Sequence, residues 1–394
     1  MRRNMRATQW LVVLGSVALL GTACGSTIGS ARSTTSATPS PSPFAALPFT
    51  QPGTTVASGA RQPNQCEPAV PAPTFDPAVS SSRNLVLAWI GSDSSKVVIR
   101  DITDINHPTT VGLLNPAAYL PPQFVSATAV SYSDQTGLVR TPLSGSPVTT
   151  VTKCGGTPFA WSPDGTAAAY MGPTADPKVQ QLHLVRDGHD TAAGTAPALS
   201  FGVGCESRGC GDSWDVHLLY SPDGAYISLI EQLPVPAFRI WTADGKLLKS
   251  LDSGQFTMSV WSGDTLYWRD EKGVEGWRAG TESLLLPGVS WVRPHASPAG
   301  GQIVYETRDA GDTTAHVLVL DTASGKVHEL KSSRAEPAYL NAHLIWYKGE
   351  VPCASGECLS PTTDSGKYYI YDLNDGSEAQ SVISAVWDVW PHAA

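Results

Sequence analysis

Charge is scarce in this sequence. Of 394 residues, 15% are Asp, Glu, Lys or Arg, against about 25% in an ordinary soluble domain. Lys and Arg number 26 against 35 Asp and Glu, for a net charge of −9. A chain this poor in basic residues is not built to neutralise phosphates, which argues against nucleic acid as a partner. Helical periodicity of useful length is missing after residue 66. Several chemical signatures are missing too. There is no Gly-x-Ser-x-Gly elbow for a serine hydrolase. There is no Gly-x4-Gly-Lys-[Ser/Thr] loop, no Gly-x-Gly-x-x-Gly and no His-Glu-x-x-His. The Asp pairs Asp101/Asp104, Asp187/Asp190, Asp212/Asp215 and Asp372/Asp375 fall in predicted turns, and none reproduces a calcium loop. The nine His are scattered. The sequence therefore implies no cofactor and no metal.

What is abundant is turn chemistry. The chain has 36 Gly and 31 Pro, about one residue in six, with 41% apolar residues to build a core. Short elements joined by many turns are expected, not long helices.

The first residues read as an address. Arg2, Arg3 and Arg6 precede an eleven-residue, largely apolar run, Trp10–Leu20. That run is too short for a membrane-spanning helix, which needs about 20 residues. Small residues follow, in Leu20-Gly21-Thr22-Ala23-Cys24. A basic start, a short apolar stretch and small residues before a cleavage point describe a secretory signal. With Cys24 directly after them, the segment resembles the lipobox of bacterial lipoproteins. Gly21 stands where that family usually has Leu, and a plain signal peptide is the alternative. The resemblance implies removal of residues 1–23, diacylation of Cys24 and lipid anchoring on the extracytoplasmic side of a bacterial membrane. Residues 24–65 hold only Arg32 and Arg61 as charges and centre on Thr38-Pro39-Ser40-Pro41-Ser42-Pro43. Such a composition buries too little apolar surface to order itself, so it is expected to be a disordered tether. The folded domain is expected over 66–394.

Seven cysteines leave six if Cys24 carries lipid. An even number outside a reducing compartment suggests disulfides. Cys205/Cys210 and Cys353/Cys358 each enclose four residues and can close locally, which leaves Cys66 for Cys154. Six cysteines allow 15 pairings, so other connectivities stay open. A zinc site is the competing reading, but these pairs lie far apart in the sequence.

Two signatures repeat. The first is aromatic-Ser-Pro-Asp-Gly: Trp161-Ser162-Pro163-Asp164-Gly165 and Tyr220-Ser221-Pro222-Asp223-Gly224. Weaker copies begin at Trp261 and His295. Each lies between two apolar runs, so each predicts strand, tight turn, strand. The second is a short strand ending in a polar turn: 98–101, 138–141, 184–187, 239–242, 275–278, 318–321 and 369–372. Asp101 to Asp372 covers 271 residues in six intervals. That is about 45 per repeat, the length of a four-stranded propeller blade.

These copies resemble the TolB-like and WD-repeat-like β-propeller families, over roughly residues 75–392. The expected fold is all-β: a propeller of seven four-stranded blades. Ser384–His392 resembles Val289–His295, the opening strand of an internal blade, and nothing follows it. The prolines of Glu67–Pro77 make a poor inner strand. The C-terminus is therefore expected to supply the innermost strand of the first blade, hiding sheet edges. On the same alignment His295 and His392 occupy equivalent positions, as do Trp161, Trp261 and Trp291, which reads as packing.

Fold alone is nearly silent on function. The reading that fits the chain is a monomeric, non-catalytic binding or scaffolding module with an envelope protein or glycan as partner. The alternatives are an envelope enzyme acting on carbohydrate through two facing carboxylates, or a small-ligand binder in the central channel. Trp214 and Tyr119 fall outside the repeat and are the candidate contact residues. The insertions Thr195–Trp214 and Val351–Lys367 are expected to project from one face as a recognition rim.

Overall fold

The computed structural model describes residues 83–90, 93–114, 122–134, 137–143, 148–152, 158–197, 216–231, 237–251, 257–308, 314–352 and 362–392. They form seven four-stranded antiparallel sheets. Among the described residues there is no helix, and hence none long and apolar enough to cross a membrane.

From the inner to the outer strand, blade 1 consists of Asp388–Trp390, Leu85–Ile90, Asp93–Asp101 and Thr109–Leu114. Blade 2 is Gln123–Ser126, Ala129–Asp134, Gly137–Pro142 and Thr149–Thr152. Blade 3 is Phe159–Trp161, Ala167–Pro173, Val179–Arg186 and His189–Pro197, and blade 4 is Val216–Tyr220, Tyr226–Glu231, Ala237–Thr242 and Leu247–Leu251. Blade 5 is Thr257–Ser262, Thr265–Asp270, Gly273–Arg278 and Thr281–Pro287. Blade 6 is Trp291–Ala296, Gln302–Thr307, His316–Asp321 and Val327–Ser332, and blade 7 is Arg334–Tyr339, Leu344–Pro352, Thr362–Asp372 and Glu378–Ser381. All seven copies of the second repeat signature lie in, or end just after, the third strands of the seven blades.

The ring closes as the sequence predicts. Asp388–Trp390 pairs antiparallel with Leu85–Leu87, so one sheet holds both ends of the described fold. Asp388 also reaches the next blade, where its Oδ2 accepts the Phe124 N–H at 2.6 Å.

Strand alternation explains the core. Successive side chains point to opposite faces of a sheet, and in a propeller both faces meet another blade. Leu85, Leu87, Val97 and Ile99 face blade 2, packing on Phe124 and Val130. Val86, Ala88 and Val98 face blade 7, packing on Leu344 and Trp346. Five further clusters fill the remaining interfaces. The core is thus seven thin inter-blade layers, not one central mass. The outer strands are half solvated: Leu247–Leu251 and Thr281–Pro287 are exposed along most of their length.

Antiparallel topology sorts the connections. Those joining the first strand of a blade to the second, and the third to the fourth, lie at one face, here the bottom. Those joining the second to the third, and one blade to the next, lie at the top. The described ends flanking the two long insertions, Pro197 and Val216 and then Pro352 and Thr362, all belong to top connections. Arg83, where description of the chain begins, stands at the bottom with His392.

The bottom turns are built from their own residues. In blade 3 the Ser162 hydroxyl donates to Asp164 Oδ1 at 2.6 Å and accepts the Ala167 N–H at 2.9 Å. Asp164 Oδ1 also accepts the Thr166 N–H at 3.1 Å, and Gly165 takes φ 67°. Blade 4 repeats this with Ser221, Asp223, Gly224 at φ 71° and Tyr226. In blade 6 Ala299 replaces the Asp, and the Ser297 hydroxyl accepts only the Ala299 N–H, at 3.3 Å.

Candidate functional site

The inner strands surround an axial channel. Its upper cavity, about 120 Å³, is bounded by blades 4 to 7 and the segment 385–387. A lower one of about 360 Å³ is bounded by blades 1 to 6. His217, Pro294, His295 and Trp387 line both, so the two are adjacent.

Register identifies equivalent positions around this channel. In blades 3 to 7 the inner-strand residue paired with the second residue of the next strand is Trp161, Tyr220, Trp261, Ala296 or Tyr339. By the same rule the closing strand supplies Val389, paired with Val86. Blade 2 supplies Phe124, paired with Val130. Three residues before these positions in blades 3 to 7 stand Pro158, His217, Met258, Arg293 and Glu336, while Pro122 and Trp387 stand directly before the inner strands of blades 2 and 1. One comes from each blade, and all seven line the channel.

Three of these seven share an unusual backbone. Met258, Arg293 and Glu336 have φ of 51°, 50° and 53°, and each sits in a register shift of its inner strand. The left-handed region is costly for residues other than Gly and gathers at functional positions. A bulge re-aims the side chain it carries. Blades 3 and 4 pair through the same region without a shift.

Each bulge is held by the adjoining blade. The Trp291 Nε1–H donates to the Met258 carbonyl at 3.0 Å. Arg293 forms an ion pair with Glu336, whose carboxylate also meets Lys348 Nζ at 2.5 Å. Glu306 Oε2 accepts the Glu336 N–H at 3.0 Å, and its Oε1 accepts the Arg308 Nε–H at 2.9 Å. Arg308 donates through Nη2 to Glu350 Oε1 at 2.5 Å. These interactions join three cations, Arg293, Lys348 and Arg308, to three anions, Glu336, Glu306 and Glu350. They run from side chains nearly buried, Glu306 at 6% and Glu350 at 8% exposure, to the part-exposed Glu336 at 29%. Burial pushes the Glu306 carboxyl up, against the pull of Arg308.

Lower in the channel, His295 Nδ1 lies 3.3 Å from the Tyr339 N–H and accepts it. The same Nδ1 lies 3.2 Å from the Ala296 carbonyl oxygen, and burial holds this imidazole below its ordinary value. His392 behaves oppositely: burial opposes its charge, but Asp388 Oδ2, 3.2 Å from its Nε2, raises it. On the top side of blade 4 the buried Glu231 accepts from Gln180 Nε2 at 3.2 Å, and burial pushes its carboxyl up to about 8.

Several residues are placed differently from the sequence reading. His392 lies three residues beyond Val389, whereas His295 lies one before Ala296, so the two are not equivalent. Trp291 pairs with Thr307 at the start of its strand and does not share the position of Trp161 and Trp261. Matching Pro-His to Pro-His ignores the bulge at Arg293. Asp190 is not in a turn: it is in the outer strand of blade 3, buried, with its Oδ1 2.8 Å from His183 Nδ1. Its Oδ2 accepts from the Tyr170 hydroxyl.

The other candidates fall outside the described residues: Cys24, Cys66, Cys154, Cys205, Cys210, Cys353, Cys358, Tyr119 and Trp214, with the signal segment 1–23 and the tether 24–65. Among the described residues no group of three or more His, Cys, Asp or Glu is placed to hold a metal ion. The seven channel positions were missed from sequence. One signal was available: Pro294, inside the predicted opening strand Val289–His295, where proline marks a bulge or an edge.

No protein-family model and no curated protein matches this sequence. Solved structures with a similar fold include the β-propeller domain of the Trilobed protease from Pyrococcus furiosus, at 14% identity and TM-score 0.46, covering 67% of this chain and 84% of that one. TolB from Acinetobacter baumannii has 16% identity and TM-score 0.43, covering 79% of this chain and 67% of the other. A puromycin-hydrolyzing peptidase from Mycobacterium tuberculosis has 13% identity and TM-score 0.44, covering 79% of this chain and 56% of its own. At these values the likeness is one of fold.

Proposed function

We propose that this protein is a lipid-anchored binding module of the bacterial envelope that takes up its partner at the top mouth of the axial channel, without catalysing a reaction. The observation that carries this reading is the mouth itself. Three neighbouring blades hold Met258, Arg293 and Glu336 in left-handed bulges, and the adjoining blades fix them there. Side chains fixed in advance cost less to order on binding, which favours recognition. The N-terminal signal, Cys24 and the Pro/Ser/Thr-rich segment supply the anchor and tether of this reading. Arg83, where the described chain begins, lies at the bottom, the face opposite this mouth.

Two measurements test it. Fractionation of cells carrying the full chain is expected to find it in the membrane, and Cys24→Ala is expected to release it. Full-length protein in detergent, screened against glycans and envelope peptides, is expected to bind saturably without turnover. Turnover of a bound compound overturns the non-catalytic reading, and an unchanged membrane fraction for Cys24→Ala overturns the anchor.

A further inference from the structure

Resting on the reading of the mouth as a binding site, we infer that its ligand is a neutral saccharide, a free sugar or the terminal unit of a glycan chain. Four features of the mouth converge on this class.

The first is charge balance. Arg293 and Lys348 are both engaged by Glu336, and Arg308 by Glu306 and Glu350. A charged ligand would have to break one of these pairs to find a counter-ion, and removing one partner of a buried pair is costly. A neutral ligand leaves them intact.

The second is the side-by-side placement of a donor and an acceptor. The Arg293 guanidinium only donates and the Glu336 carboxylate only accepts. A hydroxyl does both. Adjacent hydroxyls of a sugar ring can accept from the first group and donate to the second, in hydrogen bonds of the stronger, charge-assisted kind.

The third is Trp387. It lines both cavities, and it is only partly buried. An aromatic wall beside a few fixed polar groups is the make-up of a small-ligand site, and it suits a ring that has one apolar C–H face.

The fourth separates a sugar from a peptide. An extended peptide would add to an inner strand through alternating backbone N–H and C=O groups. Pro122, Pro158, Pro294 and Pro337 line the channel, and proline has no N–H. The N–H groups of Phe124, Glu336 and Tyr339 are already taken by Asp388, Glu306 and His295. The inner edges therefore offer a strand few donors, whereas a sugar needs side-chain groups and not a ladder.

The test uses full-length protein in detergent and titration calorimetry with maltose, cellobiose, chitobiose, galactobiose, mannobiose and trehalose. Immobilised polymers of the same units form a second arm, and a panel of unmodified peptides a third. At least one neutral saccharide is expected to bind saturably, in soluble form for a free-sugar ligand or only as polymer for a chain end. Glu336→Gln and Trp387→Ala are each expected to weaken that binding about tenfold or more, in line with loss of one charge-assisted bond or the aromatic wall. If Glu336→Gln fails to fold, Trp387→Phe is the second variant. With the native chain, saturating disaccharide is then expected to raise the melting temperature. Peptide binding with no saccharide binding overturns the inference and leaves the binding module standing. Saccharide binding indifferent to both substitutions also overturns it, since the sugar then sits elsewhere. Absence of binding in all three arms overturns both readings. Release of reducing ends from a bound saccharide would uphold the ligand class and overturn only the absence of catalysis.

Discussion

At the bottom of blades 3 and 4 the turn after the inner strand is made by its own residues. At the top of blades 5, 6 and 7 the bulge in the same strand is held by the blade beside it. Ser162, Asp164 and Gly165 close one turn within six residues, and Ser221, Asp223 and Gly224 close another with the same bonds at nearly the same lengths. The bulge at Glu336 depends on Glu306, 30 residues away, and that at Met258 on Trp291, 33 residues away. A local device can be copied from blade to blade as a motif. A tertiary device needs no motif, and each copy is free to carry a different side chain. That freedom is what lets one repeat architecture place Met, Arg and Glu at equivalent points of a single mouth.

This contrast can be broken at three levels. The largest effect belongs to ring closure, on which the neighbour-held mouth depends. Deleting residues 384–394 removes the inner strand of blade 1 and strips Val389 and Trp390 from the two cores that flank it. Cooperative thermal unfolding is expected to be lost, as read by calorimetry. A truncated chain that melts like the parent would show that closure is not what holds the ring.

Next comes Glu306→Ala. It takes the acceptor from the left-handed Glu336 N–H and one of two carboxylates from Arg308. Breaking a buried ion pair from one side costs about 3–5 kcal/mol. Chemical denaturation is expected to show a loss of that order, and a cost near zero would mean that the bulge holds itself.

The smallest effects are expected at the bottom turns. Gly165→Ala and Gly224→Ala both put a Cβ on a left-handed residue, at about 1–2 kcal/mol. Gly165→Ala should cost more, because its Cβ would stand 2.7 Å from the Val125 carbonyl oxygen, while at Gly224 the nearest atom is Pro163 Cδ at 3.6 Å. Equal melting temperatures for the two variants would mean that the blade 3 turn is as independent of its neighbour as the blade 4 turn.

Much of the fold was legible from sequence for the same reason that the turns are local. The third strands could be found because a short apolar run followed by a polar turn is a contiguous pattern, and it recurs seven times. Closure could be inferred because Ser384–His392 has the make-up of an inner strand, which the proline-rich segment Glu67–Pro77 lacks. The register of that strand was not legible. It pairs through Trp390 with Leu85, and no residue near it in sequence says which of its positions meets the second strand. The mouth was less legible still, since His217, Met258, Arg293, Glu336 and Trp387 share no residue type.

Left to itself, the sequence determined how many blades there are, where each turns at the bottom and which segment closes the ring, because turn chemistry and strand alternation act within a few residues. Only the tertiary structure decided which side chains line the axial channel and which of them are held in left-handed bulges. Those residues stand far apart along the chain, and what brings them together is the packing of each sheet face against the next blade.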